Sequence, residues 1–287
     1  MNRKNLTIIG ESINYSIPRI KKLFDECVKS GDFSSIQKVA IRQKTQGAKY
    51  LDINVGSLSS EIMSETVRKV QEVVDLPLCF DDSDPQKLAA GFEAYNYEKA
   101  KEGLPILNSA TEFKADTVFE LRKRGKCRVI LLVSERMEGT SLCYNSTTEE
   151  AYRTAKRLFF KALQYGFEPD QIYIDPGIVS IAADMKGLAN LTLDLIEKVS
   201  SDPELKNVHK VIGITNFIFG LPPKLKMPLQ NAFLTMAIQR GLDTVIGNTS
   251  VEYKILDDSD EYIQGLKKVL AADGYNRQIA LLELYKK

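Results

Sequence analysis

The chain has 287 residues, of which 44% are hydrophobic and 27% charged, a composition typical of a globular protein with one large core. Its 39 Lys and Arg residues against 38 Asp and Glu residues leave a formal net charge of +1, which argues against a nucleic-acid-binding protein. The N-terminal segment MNRKNLTIIGESIN lacks the apolar core of a secretory signal, and no run approaches the roughly 20 apolar residues of a membrane span. We therefore expect a cytoplasmic protein.

Strand-like apolar runs alternate with helical patterns along the chain, as in the βα units of a parallel sheet. In chain order the predicted elements are strand Thr7–Gly10, helix Ser34–Gln46, strand Tyr50–Asn54, helix Ser60–Val74, strand Leu78–Phe80, helix Pro85–Ala94, strand Pro105–Leu107, helix Glu112–Lys123, strand Val129–Val133, helix Thr148–Tyr165, strand Ile172–Ile174, helix Leu191–Val199, strand Val211–Ile214, helix Leu229–Arg240, strand Thr244–Ile246 and helix Glu261–Ala271. This alternation predicts an α/β fold, a (β/α)8 TIM barrel that forms a single domain over residues 1–287.

Two segments lie outside the alternation. Met137–Ser146 is rich in Gly, Thr, Ser and Asn, so it is predicted to be a mobile loop over the barrel mouth. Residues 274–287 predict an extra terminal helix, Gln278–Tyr285, which either covers the barrel bottom or forms a subunit contact. Three leucines of this helix fit a subunit interface and burial on the same chain equally well: Leu281, Leu282 and Leu284.

Cysteine and histidine content limits the chemistry that the chain can support. The four cysteines, Cys27, Cys79, Cys127 and Cys143, show no CxxC spacing, so we expect reduced thiols. The single histidine, His209, leaves neither a His-rich metal site nor a Ser-His triad. His209 precedes a predicted strand and is interpreted as a loop residue.

Six of the apolar runs end in, or run straight into, Asp or Asn: YLDIN, LCFDDSD, PILNS, IYIDP, IGITN and VIGN. Each such residue alone is explained as a turn former or a helix cap. Six at corresponding positions would converge on the mouth of a barrel, where active sites of this fold lie. The set contains no phosphate cradle, metal cluster or evident nucleophile. Carboxylates and carboxamides around a slot suit a flat heterocycle with several N–H and C=O groups, such as a pterin.

The segments that carry a family resemblance are IIGESIN (8–14), KYLDINVG (49–56), LPLCFDDSDPQKLAAGF (76–92), PILNSAT (105–111), IYIDPGI (172–178), IGITN (212–216) and NAFLTMAIQRGLDTVIGN (231–248). In this order they resemble the pterin-binding methyltransferases, which comprise the methyltetrahydrofolate:corrinoid protein methyltransferases and the folate module of cobalamin-dependent methionine synthase. The resemblance implies a TIM barrel that binds tetrahydrofolate or 5-methyltetrahydrofolate and moves a methyl group between N5 of the pterin and a cobalt corrinoid.

The resemblance also implies roles for single residues. By matching motif, Asp81, Asn108 and Asp175 would hydrogen-bond the pterin ring, and Asn216 would contact N5 as the catalytic residue. A carboxamide can donate or accept by turning, so Asn216 can follow N5 through both protonation states. Five further residues are second choices as lining: Glu11, Asn14, Asp52, Asn54 and Asn248. Asp52 is equally well explained as a buried partner of backbone N–H groups.

Two places depart from the family pattern. Phe219 and Met227 stand where some relatives carry Gln and Arg, and either Lys224 or Lys226 could replace the missing cation near the folate tail, or both are solvated. Asp84, directly before Pro85, is a start signal for the helix that begins there. Asp82, next to Asp81, is also interpreted as a cap of this helix, in preference to a carboxyl that raises the pKa of Asp81 and supplies a proton.

The corrinoid is expected to come from elsewhere. A D-x-H-x-x-G motif would need the one histidine, and its context NVHKVIG does not match. The resemblance therefore implies a transient corrinoid protein partner, or free cofactor, and a homodimer as in many relatives. The alternatives are a dihydropteroate synthase-like enzyme, whose diphosphate would need cations that are missing after the last two predicted barrel strands, and a non-catalytic folate-binding protein.

Overall fold

Eight parallel strands close into a barrel in the computed structural model of the protein, which describes residues 6–286; the first five residues of the N-terminal segment lie outside this range, as does the last residue of the chain. The barrel strands are β1 (Thr7–Asn14), β2 (Tyr50–Asn54), β3 (Leu78–Asp81), β4 (Ile106–Ala110), β5 (Arg128–Leu132), β8 (Ile172–Asp175), β9 (His209–Gly213) and β10 (Thr244–Gly247), and an antiparallel hairpin between β5 and β8 consists of β6 (Glu135–Glu138) and β7 (Ser141–Tyr144). Around the barrel the order is β1-β10-β9-β8-β5-β4-β3-β2. The predicted (β/α)8 barrel is confirmed.

Helices follow the strands and form the outer layer. They are α1 (Pro18–Ser30), α2 (Ser34–Thr45), α3 (Ser60–Gln71), α4 (Pro85–Ala94), α5 (Ala115–Phe119), α6 (Thr148–Gln164), α7 (Leu188–Ser201), α8 (Ile214–Phe217), α9 (Pro223–Gln239), α10 (Glu261–Ala271) and α11 (Gly274–Lys286). Within residues 6–286, none is long and apolar enough to cross a membrane.

Two-residue alternation along the strands explains where polar side chains can lie. Residues that share one face of the sheet are two apart. A small apolar cluster fills the barrel interior and consists of Ile9, Cys79, Ile106, Ile130, Tyr173 and Val211. Two residues further along four of these strands, on the same face, lie Glu11, Asp81, Asn108 and Asp175. The barrel interior is therefore apolar below and polar at the carboxyl ends of the strands.

Three predicted local structures were wrong. The predicted mobile loop 137–146 largely forms the hairpin β6–β7, where Arg136 donates to Tyr144 O at 2.9 Å and to Asn145 Oδ1 at 3.0 Å. His209 is the first residue of β9 and no loop residue, because its ring stacks on Tyr173 with centroids 4.7 Å apart and its Nδ1 lies 3.3 Å from Asp243 Oδ2. Helix α9 begins six residues before the predicted start and continues through Pro228.

The terminal helix α11 packs on the outer helical layer of its own chain. Leu281 and Leu284 are 7% exposed, and Leu284 contacts α10 beside Gly265, whereas Leu282 is 58% exposed. The buried Arg277 donates to Asp184 Oδ2 at 2.6 Å and to backbone carbonyls at the end of α10. Own-chain burial therefore accounts for two of the three leucines, and Leu282 alone is open to a partner.

At the start of α4 the signal predicted at Asp84 is confirmed and the cap role predicted for Asp82 is wrong. Asp84, not Asp82, is the N-cap, since its side chain accepts from Gln86 N at 2.9 Å. Asp82 accepts from Asp84 N at 2.8 Å and lies 3.3 Å from Lys87 Nζ. The carboxylate of Asp82 therefore orders the turn before the helix.

Replacing this cap gives a first prediction. Asp84→Ala is expected to lower the free energy of unfolding by about 1 kcal/mol, because an orphan amide of the first helical turn loses its acceptor. Asp84→Asn is the matched control and should cost only a few tenths of that, since its side-chain oxygen can cap equally well. Urea denaturation measures both variants, and equal losses would contradict the assignment of the cap.

Candidate functional site

Three neighbouring strands place polar side chains side by side at the mouth. The register pairs Asp81 of β3 with Asn108 of β4. Asn54, at the end of β2, donates from Nδ2 to Asp81 Oδ2 at 3.0 Å, while its Oδ1 accepts from Gly56 N at 2.9 Å. Because Gly56 N fixes the amide orientation, one lone pair of Asp81 is committed to Asn54 and the remaining oxygen is available to a ligand.

Asp52 lies one inward position below Asn54 and is 1% exposed. Its Oδ1 has no hydrogen-bond partner among the described residues. Burial raises the pKa of Asp52 well above its ordinary value, the charge of Asp81 adds to this, and hydrogen bonds with Cys79 and Asn108 oppose it. The side chains of Cys79 and Asn108 thus act on Asp52, and among the described residues no backbone N–H group donates to its Oδ1.

Asp81 itself is recessed in the mouth. Burial raises the pKa of Asp81, the hydrogen bond from Asn54 opposes this shift, the charge of the neighbouring Asp82 adds to it, and the nearby Lys114 lowers it. The less favoured interpretation of Asp82, as a carboxyl that raises the pKa of Asp81, therefore agrees with the structure. Lys114 donates to the carbonyls of Asp82 and Ser83, both at 3.3 Å, and burial lowers the pKa of this lysine. Lys114 is not among the residues predicted from the sequence, although its place in the connection after β4 is the signal that could have identified it.

Asp175 ends β8 on the same inner face. Its Oδ1 accepts from Gly177 N at 2.8 Å. Burial raises the pKa of Asp175 to about 7, the Gly177 hydrogen bond opposes the shift, and the charge of Asp81 adds to it. Near neutral pH this carboxyl is therefore divided between its two protonation states.

Across the barrel, Glu11 and Thr215 join β1 to the segment after β9. Thr215 donates to Glu11 Oε1 at 2.6 Å, and burial raises the pKa of Glu11 against this hydrogen bond. The next residue, Asn216, lies in the short helix α8 and is exposed. Within residues 6–286 its carboxamide has no hydrogen-bond partner, and Gly213 leaves room for it, since a Cβ there would lie 3.1 Å from Asn216 Nδ2.

The two remaining asparagines are used locally. Asn14 Oδ1 accepts from Ser16 N at 2.9 Å and from Ser16 Oγ at 2.6 Å. Asn248 Oδ1 does the same with Ser250, at 2.9 and 2.7 Å. Their oxygens form side-chain turns, which leaves only their amide N–H groups for a ligand.

The positions after β9 that depart from the family pattern lie partly in helix α9, which begins at Pro223. Phe219 is 77% exposed. Lys224 Nζ lies 4.3 Å from the ring centroid of Tyr285, and Gln230 Nε2 lies 3.9 Å from Met227 Sδ. Lys224 is therefore engaged with the terminal helix α11.

The raised carboxyl pKa values predict a pH-dependent stability. Asp52, Asp81, Asp175 and Glu11 keep protons in the folded state that the unfolded chain releases above about pH 4. The free energy of unfolding should therefore fall as pH rises from about 4 through the raised pKa values, to about 7 for Asp175.

Removing one of these carboxyls tests that dependence. In Asp52→Asn the fall in unfolding free energy between about pH 5 and about pH 8 should be smaller than in the wild type, because one buried carboxyl no longer has to ionise. Asp32→Asn is the control and should leave this fall unchanged, since hydrogen bonds from Ser34 hold the pKa of Asp32 below its ordinary value. Urea denaturation at the two pH values measures the fall in unfolding free energy for each protein. An equal fall in the wild type and in Asp52→Asn would contradict the prediction.

Carboxylates and carboxamides at the mouth of a barrel suit a flat polar heterocycle. The fold and the site are therefore those of a class of proteins that bind such a ligand. The family model of the pterin binding enzymes matches residues 21–248, and the chain belongs to this family. Pterin binding by the family agrees with the resemblance seen in the sequence motifs.

Among relatives, the chain is 29% identical over 247 residues to the methylcorrinoid:tetrahydrofolate methyltransferase of Eubacterium limosum, with 84% of each chain covered. It is 25% identical over 264 residues to the methionine synthase of Mycobacterium leprae. That match covers 86% of this chain and 20% of the methionine synthase, so the likeness is confined to one part of the larger enzyme.

Solved structures with a similar fold include two dihydropteroate synthases. That of Xanthomonas albilineans, in complex with 7,8-dihydropteroate, has a TM-score of 0.55 and 18% identity, with 95% of this chain and 96% of that chain covered. That of Thermus thermophilus has a TM-score of 0.59 and 15% identity, with 86% and 90% covered. At these identities the likeness shows the fold alone.

Proposed function

We propose that this protein is a methyltransferase that moves a methyl group between N5 of tetrahydrofolate and the cobalt of a corrinoid carried by a separate protein. The observation that carries the proposal is the arrangement of the mouth: Asp81 and Asn108 lie side by side on one wall and Asp175 lies on the same inner face. On the far side, the Asn216 carboxamide has no hydrogen-bond partner in the described part of the chain. The relative that is 29% identical over 84% of both chains is a methylcorrinoid:tetrahydrofolate methyltransferase, which supports the same chemistry.

The donor and acceptor set fits a pterin. The pyrimidine end of the ring presents N3–H and a 2-amino group as donors and N1 and O4 as acceptors. The carboxylates of Asp81 and Asp175 can accept from such N–H groups, and Asn108 can both donate and accept. A ligand N–H pair would also stabilise the charged form of carboxyls whose pKa burial has raised. The pterin is therefore held by positioned hydrogen bonds and no covalent bond is needed.

Asn216 is proposed to act at the reacting atom. When the methyl group leaves 5-methyltetrahydrofolate, N5 must gain a proton or a strong hydrogen bond, because the unassisted leaving group would be an amide-like anion. When the methyl group arrives, the N5 lone pair attacks and the N5–H proton is lost. The Asn216 carboxamide can donate a hydrogen bond to N5 in the first case and accept one from N5–H in the second. Water supplies the proton that N5 gains and takes up the proton that N5 loses. The corrinoid supplies cobalt, which gives or accepts the methyl group.

The rim of the mouth is suited to a transient partner. Large apolar side chains are exposed on the connections that follow β4, β5, β8 and β9: Phe113, Leu142, Tyr144, Met185 and Phe219. A corrinoid protein that covers the mouth would bury these side chains and bring its cobalt over N5. A homodimer stays a prediction of the resemblance, with the exposed Leu282 available to such a contact.

A comparison of two reactions tests the proposal. The protein is incubated with methylcobalamin and tetrahydrofolate, with cob(I)alamin and 5-methyltetrahydrofolate, and separately with a dihydropterin pyrophosphate and p-aminobenzoate. We expect methyl transfer in both corrinoid mixtures and no dihydropteroate, because one barrier serves both directions of transfer. Formation of dihydropteroate would replace the proposal with the rival synthase reaction. Tight folate binding without transfer in either mixture would identify a non-catalytic folate-binding protein.

A further inference from the structure

A cavity of about 280 Å³ adjoins the mouth between the ends of β1 and β10 and the helices α1 and α2. Its polar lining includes Glu11, Arg19, Arg42, Gln46 and Asn248. Glu11 lies on the inner face of β1 and Asn248 directly follows β10, so the cavity shares two lining residues with the proposed pterin site. Gln46 is fixed in this wall, since its Oε1 accepts from Thr249 Oγ1 at 2.8 Å.

The two arginines of this cavity are distinct from the other arginines of the described chain. Within residues 6–286, neither Arg19 nor Arg42 forms a side-chain hydrogen bond or an ion pair. Every other arginine in this range has a carboxylate or carbonyl partner: Arg68, Arg122, Arg124, Arg128, Arg136, Arg153, Arg157, Arg240 and Arg277. Both residues are exposed. Two unpaired guanidinium groups that line one cavity can bind anions, above all carboxylates that match the guanidinium fork.

The negative charge in the cavity is small. Glu11 is its acidic lining residue, and Thr215 donates to Glu11 Oε1 at 2.6 Å. Because burial also raises the pKa of Glu11, the wall opposes an incoming anion less than an exposed carboxylate would. The cavity therefore remains cationic overall.

The order of strands indicates which end of a pterin would face this cavity. In the closed eight-strand ring, β4 lies opposite β10 and β3 lies opposite β9. If Asp81 and Asn108 hold the pyrimidine end, the N5–C6 end points towards β9 and β10. The benzoyl-glutamate tail of folate is attached through C6, beside N5, and so leaves the mouth on the side of Arg19 and Arg42.

We propose that Arg19 and Arg42 bind the glutamate carboxylates of the folate tail and give the protein a preference for polyglutamylated folates. This inference rests on the proposed folate-dependent function. It places the tail away from Lys224, which contacts Tyr285, and towards the two arginines that have no partner among the residues that the structure describes.

Calorimetry with three ligands tests the tail site: tetrahydrofolate, its triglutamate, and 6-methyltetrahydropterin, which has no tail. In the wild type we expect affinity to rise in the order tail-less pterin, monoglutamate, triglutamate. The double variant Arg19→Gln, Arg42→Gln should bind the triglutamate roughly 3- to 20-fold more weakly, as expected for solvent-accessible ion pairs, and should bind the tail-less pterin unchanged. Lys226→Gln is the matched control and should keep the wild-type order.

The outcomes separate the two proposals. A double variant that keeps the full preference for the triglutamate overturns the tail site, and so does loss of the preference in Lys226→Gln alone. A double variant that keeps the preference but fails in transfer with a corrinoid protein also overturns it, because the anion then belongs to the partner. If the wild type binds neither the tail-less pterin nor tetrahydrofolate, the folate-dependent function itself fails and the tail site with it.

Discussion

In the Asn216→Ala variant, methyl transfer is expected to slow by roughly 5- to 150-fold while the folate dissociation constant stays within about threefold of the wild type. The rate loss corresponds to about 1–3 kcal/mol for a buried hydrogen bond to N5 that is strongest while the methyl group moves. The binding effect should be small because, in the proposed site, Asp81, Asn108 and Asp175 would hold the pyrimidine end of the ring. The structure leaves the Asn216 carboxamide exposed and without a partner among residues 6–286, so its removal disturbs no internal hydrogen bond.

Single-turnover transfer rates and calorimetry measure the two quantities separately. Asn248→Ala serves as the control, since Asn248 lines the same mouth but uses its oxygen for Ser250. That variant should transfer at close to the wild-type rate. Equal losses of rate and affinity in Asn216→Ala would assign this residue to binding and contradict a role at N5.

Replacing Asp175 by asparagine is expected to weaken folate binding by roughly 10- to 150-fold, the range for loss of a hydrogen bond to a charged group of about 1.5–3 kcal/mol. The amide keeps one acceptor oxygen, but it has no negative charge and presents an NH2 group to the N–H donors of the pterin. Calorimetry at fixed pH measures the change, and unchanged affinity would remove Asp175 from the pterin edge.

The role of Asp175 in binding also predicts the direction in which folate affinity changes with pH. Burial raises the pKa of Asp175 to about 7 in the free protein, and the proposed contact needs the carboxylate. Folate affinity should therefore fall as pH drops below about 7, because protons compete with the ligand for this group. In Asp175→Asn this part of the dependence should disappear. A variant whose affinity falls with pH as steeply as that of the wild type would show that another group titrates.

The barrel could be predicted from sequence because its signals are local and repeated. Runs such as YLDIN and IYID are buried strands whose inward positions are two residues apart, so Tyr50, Asp52 and Asn54, or Tyr173 and Asp175, share one face. This same alternation places Asp and Asn at the mouth. The positions of those side chains were therefore recoverable from the pattern, whereas their roles towards a pterin came from family resemblance.

Features set by tertiary contacts were not recoverable. The ring of His209, the first residue of β9, stacks on Tyr173, and its Nδ1 lies beside Asp243. Both partners are distant in sequence. Helix α9 continues through Pro228, which a local rule reads as a break. The choice between Asp82 and Asp84 as helix cap depended on one hydrogen bond to Gln86 N. The hydrogen bond from Thr215 to Glu11 could not be predicted, because the two residues lie more than 200 positions apart in the sequence.

The most direct test of the proposed function follows an isotopic label through one turnover. Methylcobalamin with a ¹³C-labelled methyl group is mixed with tetrahydrofolate and the protein, and the label is located by NMR. The structure predicts that the label appears on N5 of tetrahydrofolate, and that Asn216→Ala delays its appearance without preventing folate binding. A label that remains on cobalt while calorimetry shows folate bound under the same conditions would contradict methyl transfer at this barrel mouth.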